Sequence, residues 1–368
     1  MNQDSEQFNI LDRSFQDGSF FRNPHIVYEK LRLKYPILWC DHKNGFYITT
    51  KTYIEFILNN CLISKRITSS ITNIVDTTTR LKVTHFVSKW PFYRNDNYKE
   101  DKMKSQKFIN SNIGNLVDLI KNYDITRDNT NLVSSLFNEL SLKCLLVAMN
   151  LNLENYEDII YYGKYIIKFM QNDLAEAEEY LLLSCIDYFN DLYSKYRNKD
   201  IIEYGIFCNL LIDGHEPVTN ILTYATIMYA DNFPLENQYI KGFVNEILRF
   251  FPSFQYLVRY ADDDIYIENY YIPSGSKLYL VIASANRDEN VCENYGNFNY
   301  KRLDNDTNLS FGKGSHSCMG NKLAYEILLN FVKKLVAENR RVNFEYNSVA
   351  VEPFTGTFFV SNLQGTIR

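Results

Sequence analysis

Residues 311–320 read FGKGSHSCMG, and directly after them apolar residues return at every fourth position: Leu323, Ile327, Phe331 and Leu335. That spacing predicts an amphipathic helix. Before it, Gly312 and Gly314 allow a tight backbone turn and close approach to another group. Cys318 therefore stands at the mouth of a helix, where unpaired N–H groups and the helix dipole favour a thiolate. Such a sulfur can hold a soft metal, and the upstream Phe311 is bulky enough to shield it from water. Three other readings compete here. A lone cysteine is more often a small buried hydrophobe. A glycine-rich loop entering a helix also cradles phosphate, but Cys318 and His316 stand where such loops carry Lys and Ser/Thr. Zinc wants a second cysteine or histidine at ligand spacing, which is missing nearby.

The remaining chain narrows the class. Its 368 residues, 46% hydrophobic and 23% charged, describe a globular protein with a substantial core. Lysine plus arginine total 39 against 44 acids, a net charge of −5 that points to neither nucleic acid nor an anionic membrane. The cysteines, 7 in all, are odd in number and lack framework spacing, which suits unpaired thiols in a reducing cytoplasm. The opening MNQDSEQFNILDRSF has no basic start followed by an apolar run, so no secretion signal is expected. No apolar stretch is long enough to cross a bilayer. A soluble, cytoplasmic protein is the expectation. Tyrosine and phenylalanine, at 29 and 25, are numerous enough to line an aromatic pocket, though genomic base composition accounts for them as easily.

In chain order, a helical segment is predicted over residues 24–35, and runs such as 45–50 alternate like short strands. Residues 63–97 are polar, rich in threonine and serine and weakly periodic, so a loop with short helical pieces is expected. Long helical patterns fill residues 112–200, including 132–148 and 176–196. Residues 207–229, FCNLLIDGHEPVTNILTYATIMY, predict a buried helix with Gly214 and Pro217 in its middle. Pro217 brings no N–H to the Asp213 carbonyl, and its ring pushes that carbonyl away. Either a kinked helix with a small groove or a helix stop and restart follows. Next, NEILRF sets Glu246 and Arg249 three apart on one helix face. Beyond Pro252, QYLVRY, DIYIENYYIP and SKLYLVIASANRD turn strand-like.

In order, the GHE at 214–216, the E-x-x-R of Glu246 and Arg249, ANRDEN at 285–290 and FGKGSHSCMG resemble four motifs of the cytochrome P-450 family. The resemblance covers at least residues 207–330 and, more loosely, the whole chain. It implies one α+β domain over residues 1–368, mainly helical, with small sheets and haem b between two helices. By that resemblance Cys318 is the axial thiolate on the haem iron, and His316 contacts a propionate; Phe311 and Gly312 belong to the same cofactor loop. Arg259 stands where the family has a propionate-binding arginine. The family also carries a histidine and an arginine for the propionates on an earlier helix. The matching positions here hold Glu100 and Lys104, and only Lys104 keeps a cation. Trp90 and Arg94 offer a second match at the same spacing. Arg302 is the candidate third member of a buried network with Glu246 and Arg249. Phe254, Gln255, Tyr256 and Leu257, with a hairpin-like end around 354–359, fall where the family lines its pocket.

The central helix departs from the pattern. The family order is small residue, Gly, any residue, acid, Thr; here Gly214 and Glu216 match, but Pro217 takes the threonine's place. In the usual scheme the acid and alcohol deliver protons for O–O cleavage, and Pro217 has no hydroxyl. Thr219 lies two residues on and points to another side of a regular helix. Glu216 is the candidate proton-relay residue, with a solvated carboxylate as the plain alternative. The implied activity is a monooxygenase-type oxidation of a small organic molecule, aromatic or carrier-bound, in secondary-metabolite biosynthesis. Electrons would come from a ferredoxin or flavodoxin. Two alternatives follow from Pro217: phenol coupling, desaturation or peroxide-driven oxidation by the same cofactor, and a non-catalytic haem-binding recruiting protein.

Overall fold

The computed structural model describes residues 10–16, 20, 23–66, 76–90, 98–151, 156–171, 178–196, 203–302, 307–314, 317–351 and 356–368. His316, Arg94 and Phe354, all named above, lie outside them. The chain forms two compact units, each assembled from separate stretches of sequence.

The first unit comprises Met1–Arg66, Leu248–Ser317 and Pro353–Phe358. It holds helices α1 (Ile10–Gln16), α2 (Pro24–Lys34) and α3 (Lys51–Asn60) and strands β1 (Ile37–Cys40), β2 (Gly45–Ile48) and β3 (Ile63–Ser64). From the later stretch come β5 (Leu257–Ala261), β6 (Ile265–Ile267), β7 (Tyr270–Ile272), β8 (Lys277–Leu280) and the short α12 (Ile282–Ala285). A five-stranded sheet runs β1-β2-β8-β5-β3 and is antiparallel except at β2–β8. Its side chains alternate with a period of two. Leu38, Tyr47 and Tyr279 join one cluster with Leu11, Tyr28 and Leu31. Ile37, Ile48, Leu278 and Leu280 join another with Ile54 and Ile57. Both faces are thus covered, as the apolar residues at successive positions require.

The second unit comprises Ile67–Ile247, Cys318–Glu352 and Phe359–Arg368. It contains α4 (Thr77–Ser88), α5 (Tyr98–Ser111), α6 (Ile113–Asn122), α7 (Asn138–Ala148), α8 (Glu157–Gln171), α9 (Glu179–Tyr196), α10 (Tyr204–Asp231) and α13 (Asn321–Ala337). Helix α11 (Ile240–Phe250) supplies residues to both units. Strand β4 (Arg127–Asn131) forms a three-stranded antiparallel sheet with β12 (Gln364–Ile367) and β9 (Val342–Phe344), and β10 (Ala350–Val351) pairs with β11 (Val360–Asn362). Helix α10 is the axis of the unit, packed by α7, α8 and α13. Most of its residues are buried, from Ile206 through Tyr229. Each fully buried leucine or isoleucine contributes roughly 1.5–3 kcal/mol.

Two segments differ from the sequence expectation. Residues 77–88, in a stretch expected as a loop with short helical pieces, form the longer helix α4. The Asp76 carboxylate accepts from the Thr79 N–H at 2.6 Å and caps the helix, while Val83, Phe86 and Val87 bury one face. The apolar stripe is too short to stand out among threonines. Residues 132–148 are not one regular helix, because Val133–Phe137 form a π-helical turn before α7. Of the two readings of residues 207–229, the continuous helix holds: α10 runs unbroken through Pro217. Packing on several sides holds the helix where an isolated peptide would break.

In the first unit Arg249 is the main polar anchor. It is 1% exposed, and its guanidinium donates to the carbonyls of Asn286 (2.5 Å), Tyr295 (2.8 Å) and Asn297 (3.1 Å). Asn286 passes the constraint on: its Oδ1 accepts from the Leu309 N–H at 2.7 Å and its Nδ2 donates to Ser310 Oγ at 2.9 Å. Ser310 Oγ donates back to the Leu248 carbonyl. The chain entering Phe311 is therefore tied to the end of α11. Replacing Arg249 with leucine leaves buried carbonyls without donors. We expect a loss of about 3 kcal/mol or more in urea unfolding, with the Arg249→Lys variant intermediate.

Candidate functional site

Within the second unit, Cys318 is exposed and lies two residues ahead of Gly320, the N-cap of α13. The expected arrangement of sulfur at a helix mouth is present. Met319, its neighbour, is buried, and its carbonyl accepts from Gln106 Nε2 of α5 at 3.4 Å. This contact fixes the phase of α5. Ser105 and Ile109 are buried and Lys102 and Gln106 half-buried, while Met103, Lys104 and Lys107 are exposed. Burial lowers the pKa of Lys102, and the nearby Cys318 sulfur acts in the opposite direction. Lys104 stands on the outer face with its Nζ 2.8 Å from Glu100 Oε1. Of the two lysines it is Lys102, not the sequence-matched Lys104, that shares the cysteine's surroundings. The helical phase 102, 105, 106, 109 carries that signal in the sequence.

In its middle, helix α10 opens on one stripe. Asp213, Gly214, Glu216 and Pro217 are half-exposed, while Leu210, Leu211, Ile212, His215, Val218 and Thr219 are buried. Offsets of one, three and four residues place the open positions on a single face. Asn209, four residues before Asp213, lies on that face as well and donates from Nδ2 to Asp213 Oδ2 at 2.5 Å. From Gly214, at the edge of the stripe, round to His215 and Thr219 the helix is locked to α7. His215 Nε2 is 3.3 Å from the Asn138 carbonyl, and Ser141 Oγ donates to the His215 carbonyl at 2.9 Å. A side chain at 214 would approach Leu145 at 3.3 Å, so glycine brings α10 close to α7. Thr219 Oγ1 lies 3.5 Å from His215 Nε2, on the locked side. It does not replace the hydroxyl that Pro217 lacks. Sequence reasoning missed Asp213 and Asn209, although Asp213 occupies the slot for which a small residue was expected.

In the first unit, Arg259 is buried on β5, where its Nη1 donates to the Val258 carbonyl at 2.8 Å. Phe311 and Gly312 are half-exposed, and Gly312 and Gly314 have φ of 68° and 78°. Such left-handed angles favour glycine, as the turn required. A Cβ at 312 would lie 3.4 Å from Leu257 Cδ1, so the loop begins against the strand that carries Arg259. Arg302 donates to the Asn294 and Asn297 carbonyls at 3.0 and 3.2 Å and so shares the Asn297 carbonyl with Arg249. Glu246 is fully buried on α11. Gln255 and Tyr256 are buried and Phe254 and Leu257 half-buried. Trp90 is fully buried, its ring 5.5 Å from that of Phe86.

The family model for cytochrome P450 matches residues 236–347. Cytochrome P450 119 of Sulfurisphaera tokodaii is 35% identical over 141 residues, 36% of this chain and 38% of that protein. The biotin biosynthesis cytochrome P450 of Bacillus subtilis is 32% identical over 165 residues, 41% of this chain and 42% of its own. The chain thus aligns with about two fifths of the length of these curated relatives. Two solved structures extend the likeness in fold. P450BioI in complex with a hexadec-9Z-enoic acid ligated acyl carrier protein superposes with a TM-score of 0.77 at 20% identity, over 95% of this chain and 99% of that one. CalO2 gives 0.78 at 17% identity, over 95% and 97%. The chain is thus similar in sequence to cytochrome P450s over residues 236–347 and shares their mainly helical fold with small sheets over 95% of its length.

That family implies a haem held by a cysteine thiolate. The residues present fit such a group. Among the described residues no cluster of three or more His, Cys, Asp or Glu gathers as a metal site. Cys318 itself offers an exposed sulfur at the mouth of α13, the donor type that a haem-thiolate takes. Among the described residues, no helix is long and apolar enough to cross a membrane.

His215 offers a pH test of the lock between α7 and α10. Burial pushes its imidazole down from 6.5 to about 4, with the Asn138 carbonyl acting weakly the other way. The folded state keeps the ring neutral while the unfolded chain protonates it below 6.5. This contribution is therefore complete above about 6.5 and lost as pH falls towards 4. We expect the chain to lose about 2 kcal/mol between pH 7.5 and pH 5 from this group. His215→Gln should flatten that part of the urea-midpoint profile.

Proposed function

We propose that this chain is a haem-thiolate oxidoreductase that oxidises a small organic molecule, with Cys318 as the axial sulfur ligand. The observation that carries the reading is an exposed cysteine at the mouth of α13, in one unit with the half-exposed stripe in the middle of the largely buried α10. Bound haem would supply oxygen activation, with the thiolate donating electron density for O–O cleavage. The protein supplies the rest. Phe311 and Gly312 shape the loop; Arg259 and His316 would hold propionates, and Lys102, in place of the sequence-matched Lys104, would add a cation on the α5 side. Glu216, on the open stripe, moves protons beside Gly214, whose missing side chain keeps α10 close to α7.

The whole chain acts as one catalytic domain in the cytoplasm, with electrons from a ferredoxin or flavodoxin. Its substrate belongs to secondary metabolism and arrives free or on a carrier. The carrier option gains support from the P450BioI structure, whose fatty acid is attached to an acyl carrier protein. A second reading, with coupling, desaturation or peroxide-driven oxidation as the outcome, draws on two facts. Pro217 has no hydroxyl, and Thr219 faces His215 instead of the open stripe.

The ferrous–carbon monoxide difference spectrum of the purified protein tests the ligation. A strongly red-shifted Soret band, lost in Cys318→Ser, is expected; an imidazole-like band, or no haem despite ample supply, sinks the proposal. Product mass then separates the two reactions, as gain of one oxygen atom or loss of two hydrogens. Glu216→Gln should lower dioxygen-driven turnover about a hundredfold. Peroxide-driven turnover should suffer much less, because peroxide arrives with its protons.

A further inference from the structure

We propose that helix α3 seats the turn that leads into Cys318, and that Asp288, which fixes the start of α3, is a positioning residue for that turn. The inference rests on the haem-thiolate reading above and adds a residue to which that reading gives no task. Three observations carry it, all within the first unit. Helix α3 is held at its start from far away in sequence. Its N-cap, Thr50, makes no side-chain capping bond. The Asp288 carboxylate takes that place, with Oδ2 accepting from the Lys51 N–H at 2.9 Å and Oδ1 from the Asn290 N–H at 3.2 Å. Asp288 is 1% exposed. A helix start needs acceptors for its first N–H groups and a buried carboxylate needs donors, so breaking the contact harms both.

Second, the side chain of Lys51 joins α3 to the brace around Arg249. Its Nζ donates to Thr307 Oγ1 at 3.3 Å, and the Tyr295 hydroxyl lies 3.4 Å from the same oxygen. The Tyr295 carbonyl is one of those that Arg249 gathers. Third, the far end of α3 meets the turn. A Cβ at Gly314, whose φ is 78°, would lie 3.3 Å from the Leu58 carbonyl oxygen. Lys313 Nζ lies 3.1 Å from Glu55 Oε1, a partly exposed pair that adds little by itself. The Gly314 carbonyl in turn accepts from the N–H of Ser317, the residue before Cys318, at 3.2 Å. Asp288 and the turn thus touch opposite ends of one short helix, and a shift at the first end is felt at the second.

The carbon monoxide difference spectrum of the haem-loaded protein, with the rate of haem loss to an excess of apomyoglobin, tests the inference. Asp288→Ala should lower the ratio of thiolate-type to imidazole-type band about tenfold and speed haem loss by a similar factor. Asp288→Asn keeps one acceptor and should fall between. Gly314→Ala, at the opposite end of α3, should act in the same direction. Combined with Asp288→Ala it should change the ratio by less than the product of the separate effects, because both work through one helix. Leu31→Ala, which loosens the cluster on the other face of the sheet, should leave the ratio as it was. Where Asp288→Ala does not fold, Asp288→Asn and Gly314→Ala decide. An unchanged ratio in the Asp288 variants, or the same spectral change in Leu31→Ala, overturns the positioning role and leaves the oxidase reading intact. Absence of the thiolate-type band from the unsubstituted protein overturns the oxidase reading and this inference with it.

Discussion

The second unit depends on the burial of α10. A helix of 28 residues with almost every side chain inside must be packed on several sides, and its own hydrogen bonds must satisfy its backbone. Helices α7, α8 and α13 supply that packing. Against α7 the fit is set by polar contacts as well as apolar ones: His215 to the Asn138 carbonyl, Ser141 to the His215 carbonyl, and a glycine at 214 that admits Leu145. With its back fixed in this way, the helix can leave one stripe open without losing its course. Pro217 sits within that stripe, where a missing N–H does least harm to the packed faces.

The first unit solves a different problem. Residues 307–314 form no helix or strand, so the path of the chain into the cysteine loop must be fixed by side chains. Arg249 does this by gathering three carbonyls, and Asn286 extends the hold to Leu309 and Ser310. These are charge-assisted or buried hydrogen bonds, which are costly to leave unmade. The E-x-x-R and ANRD motifs are therefore two ends of one brace. Their separation in sequence hides a shared task in loop positioning.

Much of this was legible in the residues. Gly312 and Gly314 adopt the left-handed angles their identity suggested, and the helical spacing after Cys318 gives α13. Periodicity also located α2, β2 and the strands after Pro252. What escaped was tertiary in origin. Helix α4 is made by a cap at Asp76 and a three-residue apolar stripe, too little signal among threonines. That α10 keeps its course at Pro217 depends on packing partners in α7, α8 and α13, all remote in sequence. On α5, family register pointed to Lys104, whereas the contact of Gln106 with Met319 turns Lys102 inward. A one-dimensional match cannot see helix phase until one contact sets it.

Asp213 and Pro217 depart from the family order at positions one turn apart, and both lie on the same open stripe. Read separately, one adds a charge and the other deletes a hydroxyl. Together they change the character of the face in a single direction. A threonine hydroxyl donates and accepts, and so relays protons whatever substrate is bound. An ionised carboxylate accepts only, and it interacts over a longer range. The stripe therefore keeps a carboxylate at Glu216 but has no hydroxyl one residue on, and the nearest threonine, Thr219, is turned to His215 on the packed side of the helix.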